Sequence, residues 1–391
     1  MVAVLKQIFE ITLMNLKSLP SRLGSSSVIV VGIAGVVGVL VAILAMGVGF
    51  NATLDRGGAA DRAIVLRGGQ SMAELSSQID VQRMMRVRQI EGIELSSGEV
   101  YTVADIPKRA SGDPANLVLR GVEQDAFAIR PEIKIVAGRS FNPGLNEAIA
   151  GRSASQQFLG IDLDATVEFR QTQWNIVGIF EANGSAYESE IWLDMATSQS
   201  AFRRGSTVSS MRVKLSEGTD IEQIRTELDS IPDLDLSITS EEEYFANQSS
   251  SLTALITTFG YTVAAIMAIG AVFAALNTMY AAVSNRTVEI ATLRALGFGP
   301  VPVVLSVMIE SILLALLGGL LGAAITYFGF NGYTVSTLNQ GSFSQVAFDF
   351  AVTPELISNG IIWALVLGTI GGLFPAVRAA RLPITVALRG E

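Results

Sequence analysis

The sequence predicts an α-helical membrane protein: four transmembrane helices, and a large α+β extracytoplasmic (periplasmic) domain inserted between helices 1 and 2. Three observations predict it. Four long stretches, residues 23–54, 244–285, 311–348 and 356–377, contain no Asp, Glu, Lys or Arg. Outside 51–250 the only Lys and Arg are Lys6, Lys17, Arg22, Arg286, Arg294, Arg378, Arg381 and Arg389, in three short segments that alternate with the spans. The block 51–250 holds 30 acidic and 19 basic residues, so it carries the acidic balance of the whole chain.

A hydrocarbon core roughly 30 Å thick needs about 20 apolar helical residues. The runs 26–50, 252–283, 301–330 and 356–377 all meet that length, and buried helices of that length normally keep a polar face. The positive-inside rule places the three basic segments in the cytosol. Both termini then lie in the cytosol and 51–250 lies on the outer side of the membrane, which for a bacterial inner (cytoplasmic) membrane is the periplasm.

Residues 1–22 read as a cytosolic interfacial helix. Val4, Leu5, Ile8, Phe9, Thr12, Leu16 and Leu19 share one side and Pro20 ends it. The first span exceeds the roughly 7–15 apolar residues of a signal peptide, and Ala45-Met46-Gly47 is a poor cleavage site, so it is expected to remain as an anchor. In 51–250 the expected strands are 63–66, 116–122, 133–136, 166–169, 174–180 and 190–193, with a helix over 80–89. A β-α-β unit follows: strand 210–215, helix 220–231 capped by Thr219, strand 234–239. Residues 113–190 are expected to form a β-rich insertion. The second span exceeds one bilayer thickness and is expected to project beyond it. Residues 284–300 form a short cytosolic helix, 331–355 a periplasmic loop, and 378–391 a cytosolic tail whose arginines suit membrane lipid.

Composition narrows the chemistry. There is no Cys, hence no disulfide or thiolate nucleophile. There is no His, the commonest general base and transition-metal ligand. An acidic block argues against nucleic acid. Acidic pairs such as Asp162/Asp164 and Glu188/Glu190 have the period-two spacing of a solvated strand face. No catalytic, metal or cofactor site is expected in this chain.

Small residues recur at four-residue spacing in the last three spans: Gly260/Ala264/Ala268, Gly318/Gly322 and Gly368/Gly372. Such spacing lets helices approach closely; it fits a dimer or gating interface and ordinary packing within one subunit equally. Glu310 is an ionisable residue inside a span, which marks either a substrate or gating contact or a carboxylate near the inner interface, hydrogen-bonded to the short cytosolic helix or paired with Arg294.

Residues 285–297 read Asn-Arg-Thr-Val-Glu-Ile-Ala-Thr-Leu-Arg-Ala-Leu-Gly, an amphipathic helix capped by Gly297 and barred by Pro300. Arg286, Glu289, Ile290, Ala291, Leu293, Arg294, Ala295, Leu296 and Gly297 match the coupling loop of MacB/FtsX-type ABC transporter permeases. Glu310, Leu313, Leu314, Gly318, Gly319 and Gly322 match that family's next span. Pro375, Ala376, Ala379, Ala380, Pro383, Ala387, Leu388 and Arg389 match its C-terminal segment. The chain therefore resembles that family over essentially its whole length, more loosely in 51–250. The resemblance implies a coupling helix, at Asn285, Arg286, Glu289, Ile290, Leu293, Arg294, Leu296 and Gly297, that receives force from a cytosolic ABC ATPase. No Gly-x-x-x-x-Gly-Lys-Ser/Thr phosphate loop occurs here, so a separate ATPase, in two copies, is expected to use the ATP and Mg. A permease homodimer, a periplasmic adaptor (membrane fusion protein) and an outer-membrane channel are further implied partners. Mechanotransmission driving export is the first reading. A lipoprotein-release permease of the LolC/LolE kind, or FtsX-like signalling to a cell-wall hydrolase, is the alternative.

Overall fold

The structure is a computed structural model that describes residues 2–18, 23–68, 73–231, 233–339, 342–381 and Pro383. It divides into a helical unit (1–48, 255–333, 350–391) and a sheet unit (49–254, 334–349).

In the helical unit, four helices are long and apolar enough to cross a membrane. They are α2 (Leu23–Asp55), α8 (Glu241–Ser284), α10 (Pro300–Phe330) and α11 (Pro354–Arg381). At 1.5 Å per residue, the 44 residues of α8 extend about 66 Å, and its first turns belong to the sheet unit. The preceding helix α1 (Val2–Ser18) packs on α10. Its buried face carries Ile11 and Asn15, whereas Phe9, expected on the apolar side, is exposed. Ile11 joins the apolar core of the helical unit, and Asn15 is accepted beside it because it donates to Ser306 Oγ at 3.1 Å. The side chains of Val4, Leu5 and Leu16 lie outside the described residues, as do Leu19, Pro20, Arg22, Ala387, Leu388 and Arg389.

The sheet unit has the strands β1 (Arg62–Arg67), β2 (Ile79–Asp80), β3 (Ile93–Pro107), β4 (Pro114–Val122), β5 (Lys134–Gly138), β6 (Glu147–Gly151), β7 (Thr166–Phe169), β8 (Thr172–Glu181), β9 (Glu190–Asp194), β10 (Thr207–Val208), β11 (Ser210–Leu215) and β12 (Leu236–Ser240). Its short helices are α3 (Val81–Val87), α4 (Asp125–Ile129), α5 (Arg152–Gln157), α6 (Met195–Ala201) and α7 (Ile221–Asp229). One ten-stranded sheet runs β12-β1-β11-β3-β4-β9-β6-β8-β5, with β7 also on β8. Strand β3 holds it together: its first half pairs with β11 and its second half with β4. Residues 113–190 supply the β4-to-β5 half of this same sheet. In the β-α-β unit, β1 lies between β11 and β12 and is antiparallel to both. The cap of α7 is Asp220, which accepts from Glu222 N, and not Thr219. A carboxylate outcompetes a hydroxyl at the positive end of a helix.

Side chains alternate across a strand, and that splits this sheet chemically. Ala63, Val65, Val100, Leu117, Leu119, Ile191, Leu193, Met211 and Val213 point to one face and form an aliphatic core with Trp174 and Phe169. Their neighbours Arg62, Glu99, Arg120, Glu190 and Arg212 point to the other face and are also buried. The segment expected to be a loop, 331–355, is instead a hairpin of β13 (Thr334–Asn339) and β14 (Ser344–Asp349). It belongs to the sheet unit and packs on β4 and the 186–189 turn. Thr, Val and Phe at alternating positions carry the strand preference that the uncharged run conceals.

Candidate functional site

The short helix α9 (Thr287–Ala295) joins α8 to α10. Its N-terminal neighbour Arg286 is buried at 5 % exposure, although it begins a loop between two spans. Arg286 Nη1 donates to Glu310 Oε2 of α10 at 3.1 Å, and Nη2 donates to the Asn15 carbonyl of α1 at 3.4 Å. One guanidinium therefore ties the α8–α9 corner to both α10 and α1. Two desolvated charges are stabilised here by each other, as a low-dielectric site requires. Asn15, Ser306, Arg286 and Glu310 line a cavity of about 20 Å³, room for one water.

The residues expected to couple fall into two groups. Arg286 and Ile290 are buried, and Leu293 and Arg294 are half-buried. Asn285, Glu289, Leu296 and Gly297 are exposed. The outward face also carries Val288, 55 % exposed, and Thr292, with Leu296 at 73 %. Their i, i+4, i+8 spacing was legible in the sequence. Helical periodicity alone does not say which apolar residues of a short amphipathic helix face outward, because Val288 and Leu296 are as apolar as the inward Ile290 and Leu293.

The small residues pack within one chain. A Cβ on Gly260 would meet Ile43, one on Gly318 the Val30 carbonyl, and one on Gly322 the Ala34 carbonyl at 2.4 Å. Gly368 and Gly372 face Ala315 and Ser311, and Ala264 and Ala268 are buried.

The sheet unit holds a site that the sequence reading missed. Four Arg and four Glu are buried together on the second face of the sheet. Glu74 takes bonds from Arg120 Nη1 at 2.8 Å and Arg212 Nη2 at 3.2 Å. Glu99 takes them from Arg120 Nη1 at 2.7 Å and Arg130 Nη2 at 2.6 Å. Glu190 takes them from Arg120 Nε at 2.7 Å and Nη2 at 2.8 Å. Glu241, the first residue of α8, faces Arg62 Nε at 2.9 Å and Arg212 Nη1 at 3.1 Å. Arg130 lies over the rings of Tyr187 and Trp192, at 4.8 and 5.2 Å. Glu190 is thus no solvated strand residue, and Glu188 is not either: it accepts from Ala182 N and Gly184 N at 2.8 and 2.7 Å. Burial alone raises the Glu74 carboxyl, but the Arg120 and Arg212 charges outweigh it and hold the group well below the carboxylate range. Burial pushes the Tyr187 phenol up to about 12, despite the nearby arginines. Arg120 and Arg212 sit well above the usual guanidinium value: burial opposes their charge, and the surrounding carboxylates more than restore it. Among the described residues no acidic group is arranged to hold a metal ion.

Residues 26–231 match the MacB-like periplasmic core domain, and residues 261–384 match the FtsX-like permease C-terminal domain. The chain belongs to the MacB/FtsX-type ABC transporter permeases. The permease is 27 % identical over 240 residues to an uncharacterized ABC transporter permease, MJ1507, of Methanocaldococcus jannaschii, covering 59 % of this chain and 58 % of that one. It is 24 % identical to the ABC transporter permease YknZ of Bacillus subtilis, covering 78 % of each. It is 23 % identical to the macrolide export ATP-binding/permease protein MacB of Bdellovibrio bacteriovorus, covering 93 % of this chain and 58 % of that one. The permease therefore spans under two thirds of the first and third of these relatives. Among solved structures it is similar to the periplasmic region of MacB from Actinobacillus actinomycetemcomitans, at 14 % identity and a TM-score of 0.38, covering 48 % of this chain and 92 % of that one. The permease is a multi-pass membrane protein with a periplasmic-type domain after its first span.

Proposed function

We propose that this chain is a permease subunit in which ATP hydrolysis by a separate cytosolic ATPase, in two copies, is converted into a shape change of the sheet unit. The work is done on a substrate at the outer face of the inner membrane. One observation carries this reading: α9 presents Val288, Thr292 and Leu296 outward while Arg286 and Glu310 clamp its other side. A helix that presents Val288 and Leu296 outward and is ion-paired on its inner side is suited to receiving a push and delivering it to α10. The charge asymmetry supports placing α9 in the cytosol and the sheet unit in the periplasm.

A homodimer is part of the proposal. Leu255, Phe259, Thr262, Ile266, Ile269 and Phe273 of α8 are exposed and repeat at 4-3-4-3-4 spacing, the period of a left-handed two-helix seam. A periplasmic adaptor and an outer-membrane channel remain proposed partners for an exporter. Residues 49–254 form a large unit, which favours export or extraction of lipid-anchored cargo over signalling alone.

Copurification tests the reading. The wild-type chain, coexpressed with the ABC ATPase encoded beside it, is expected to retain that ATPase through detergent extraction. Replacing Val288 and Leu296 by Arg is expected to release it with the permease still folded. Absence of a wild-type complex defeats the proposal.

A further inference from the structure

We propose that the buried Arg/Glu cluster of the sheet unit is a mechanical joint, through which α8 and the β13–β14 hairpin hand displacement to the sheet, with Glu241 as its positioning residue. This rests on the coupling function proposed above and deepens it.

The cluster is an expensive way to fill a core. Desolvating eight charged groups offsets most of their attraction, and well-packed apolar residues would do as well or better for stability. Its location gives it another use. Each of the three segments that join the sheet unit to the rest of the chain places side chains beside it. Leu54 of α2, Tyr244 and Gln248 of α8, and Asn339 and Ser344 of the hairpin line a cavity of about 20 Å³ that also touches Glu74, Arg120 and Glu190. The hairpin is fastened there by Tyr101 Oη donating to the Ser342 carbonyl at 3.2 Å and by Asn339 Nδ2 donating to Gln248 Oε1 of α8 at 3.2 Å. Ala347 N donates to Ser189 Oγ at 2.9 Å, beside Glu190.

Glu241 fixes α8 in both translation and rotation. Its carboxylate is fully buried and meets guanidinium groups of Arg62 on β1 and Arg212 on β11, with Arg130 Nε at 3.9 Å. A one-residue shift of a helix moves a side chain by about 1.5 Å along the axis, more than a hydrogen bond tolerates. Such a shift would leave buried arginines without their counter-charge. The first turn of α8 and strands β1 and β11 therefore move as one body. Arg130 Nη1 has no acceptor among the described residues and lies over two aromatic rings. The Nε atoms of Arg62, Arg130 and Arg212 likewise make no hydrogen bond among the described residues, which leaves the network donors with which to re-pair if the arrangement changes.

The test uses the full chain in complex with its ATPase in lipid nanodiscs. Hydrogen–deuterium exchange is followed in peptides covering β3 and β11, with and without ATP and vanadate. Two variants are compared with wild type: Glu241→Gln, and the doubly neutral Glu241→Leu/Arg62→Met, which fills the same space. Wild type is expected to show a several-fold nucleotide-dependent change in exchange. Both variants are expected to keep ATPase docking and turnover while losing that change. A folded variant that transmits the wild-type change overturns the joint, and so does unfolding of both variants, which marks the cluster as purely structural. Wild-type docking and turnover with no exchange change in the sheet also overturns the joint but leaves the coupling helix standing. Failure of wild type to dock the ATPase overturns the functional reading and the joint with it.

Discussion

Arg120 meets three carboxylates and lies 5.0 Å from the Tyr101 ring. Its demands show why the charged face of the sheet is balanced residue for residue. Removing one member leaves a buried charge uncompensated, which costs about 3–5 kcal/mol. Glu99→Gln is therefore expected to lower the thermal midpoint of the sheet unit strongly in circular dichroism, whereas Glu217→Gln in an exposed turn is expected to be silent. The pH dependence follows from the same residues. Glu74 is held below its ordinary value, so its contribution is complete above the unfolded value of about 4.3 and is lost as pH falls below it. Tyr187 is raised to about 12, so its contribution is complete below about 10 and is lost as pH rises through 12. Melting curves across pH are expected to show a plateau between these limits, and a peak confined to neutral pH would contradict the assignment. None of this was visible in the sequence, because a charged residue beside apolar neighbours on a strand, as at Arg120 and Glu190, has the pattern of a wetted face. Only the partners distinguish the two cases, and they are brought in by α8 and by the loop that carries Glu74.

At the scale of elements, the apolar spans and α9 were legible because their signals are local: length without charge, and a helix bounded by Gly297 and Pro300. The partner of Glu310 was not. Arg286 lies 24 positions away and reaches Glu310 only because the chain turns back through α9 into α10. Exchanging the pair, Arg286→Glu with Glu310→Arg, is expected to restore the ATPase stimulation that either single substitution abolishes. Docking is expected to persist throughout, since neither side chain is on the exposed face. Loss of docking in Arg286→Ala would instead make Arg286 a contact residue. The glycines give a separate check on packing. A methyl group on Gly322 would lie 2.4 Å from the Ala34 carbonyl of α2, while one on Gly329 meets nothing. Gly322→Ala is expected to destabilise the helical unit by about 1–3 kcal/mol, and Gly329→Ala to leave it unchanged, as read by thermal aggregation in detergent. The hairpin was missed because an uncharged run next to a span looks like more span or loop. Its alternation is short, and its docking partners lie far away in sequence.

For the whole molecule, the absence of cysteine makes the wild-type chain its own background for single-cysteine work. Cysteine at Gly112, in an exposed turn of the sheet unit, is expected to react with an impermeant maleimide in intact spheroplasts. Cysteine at Gly297 is expected to react only after permeabilisation. Cysteine at Ile266 is expected to form a disulfide between copies on mild oxidation, while cysteine at the buried Ala264 is expected to remain monomeric. The central claim is that α9 is where another protein's ATP hydrolysis enters this chain. The most direct measurement is the turnover of the purified partner ATPase, alone and with the reconstituted permease. The wild-type chain is expected to raise turnover, and Val288→Arg/Leu296→Arg, folded and in the same lipid, is expected not to. Equal stimulation by both would contradict the central claim.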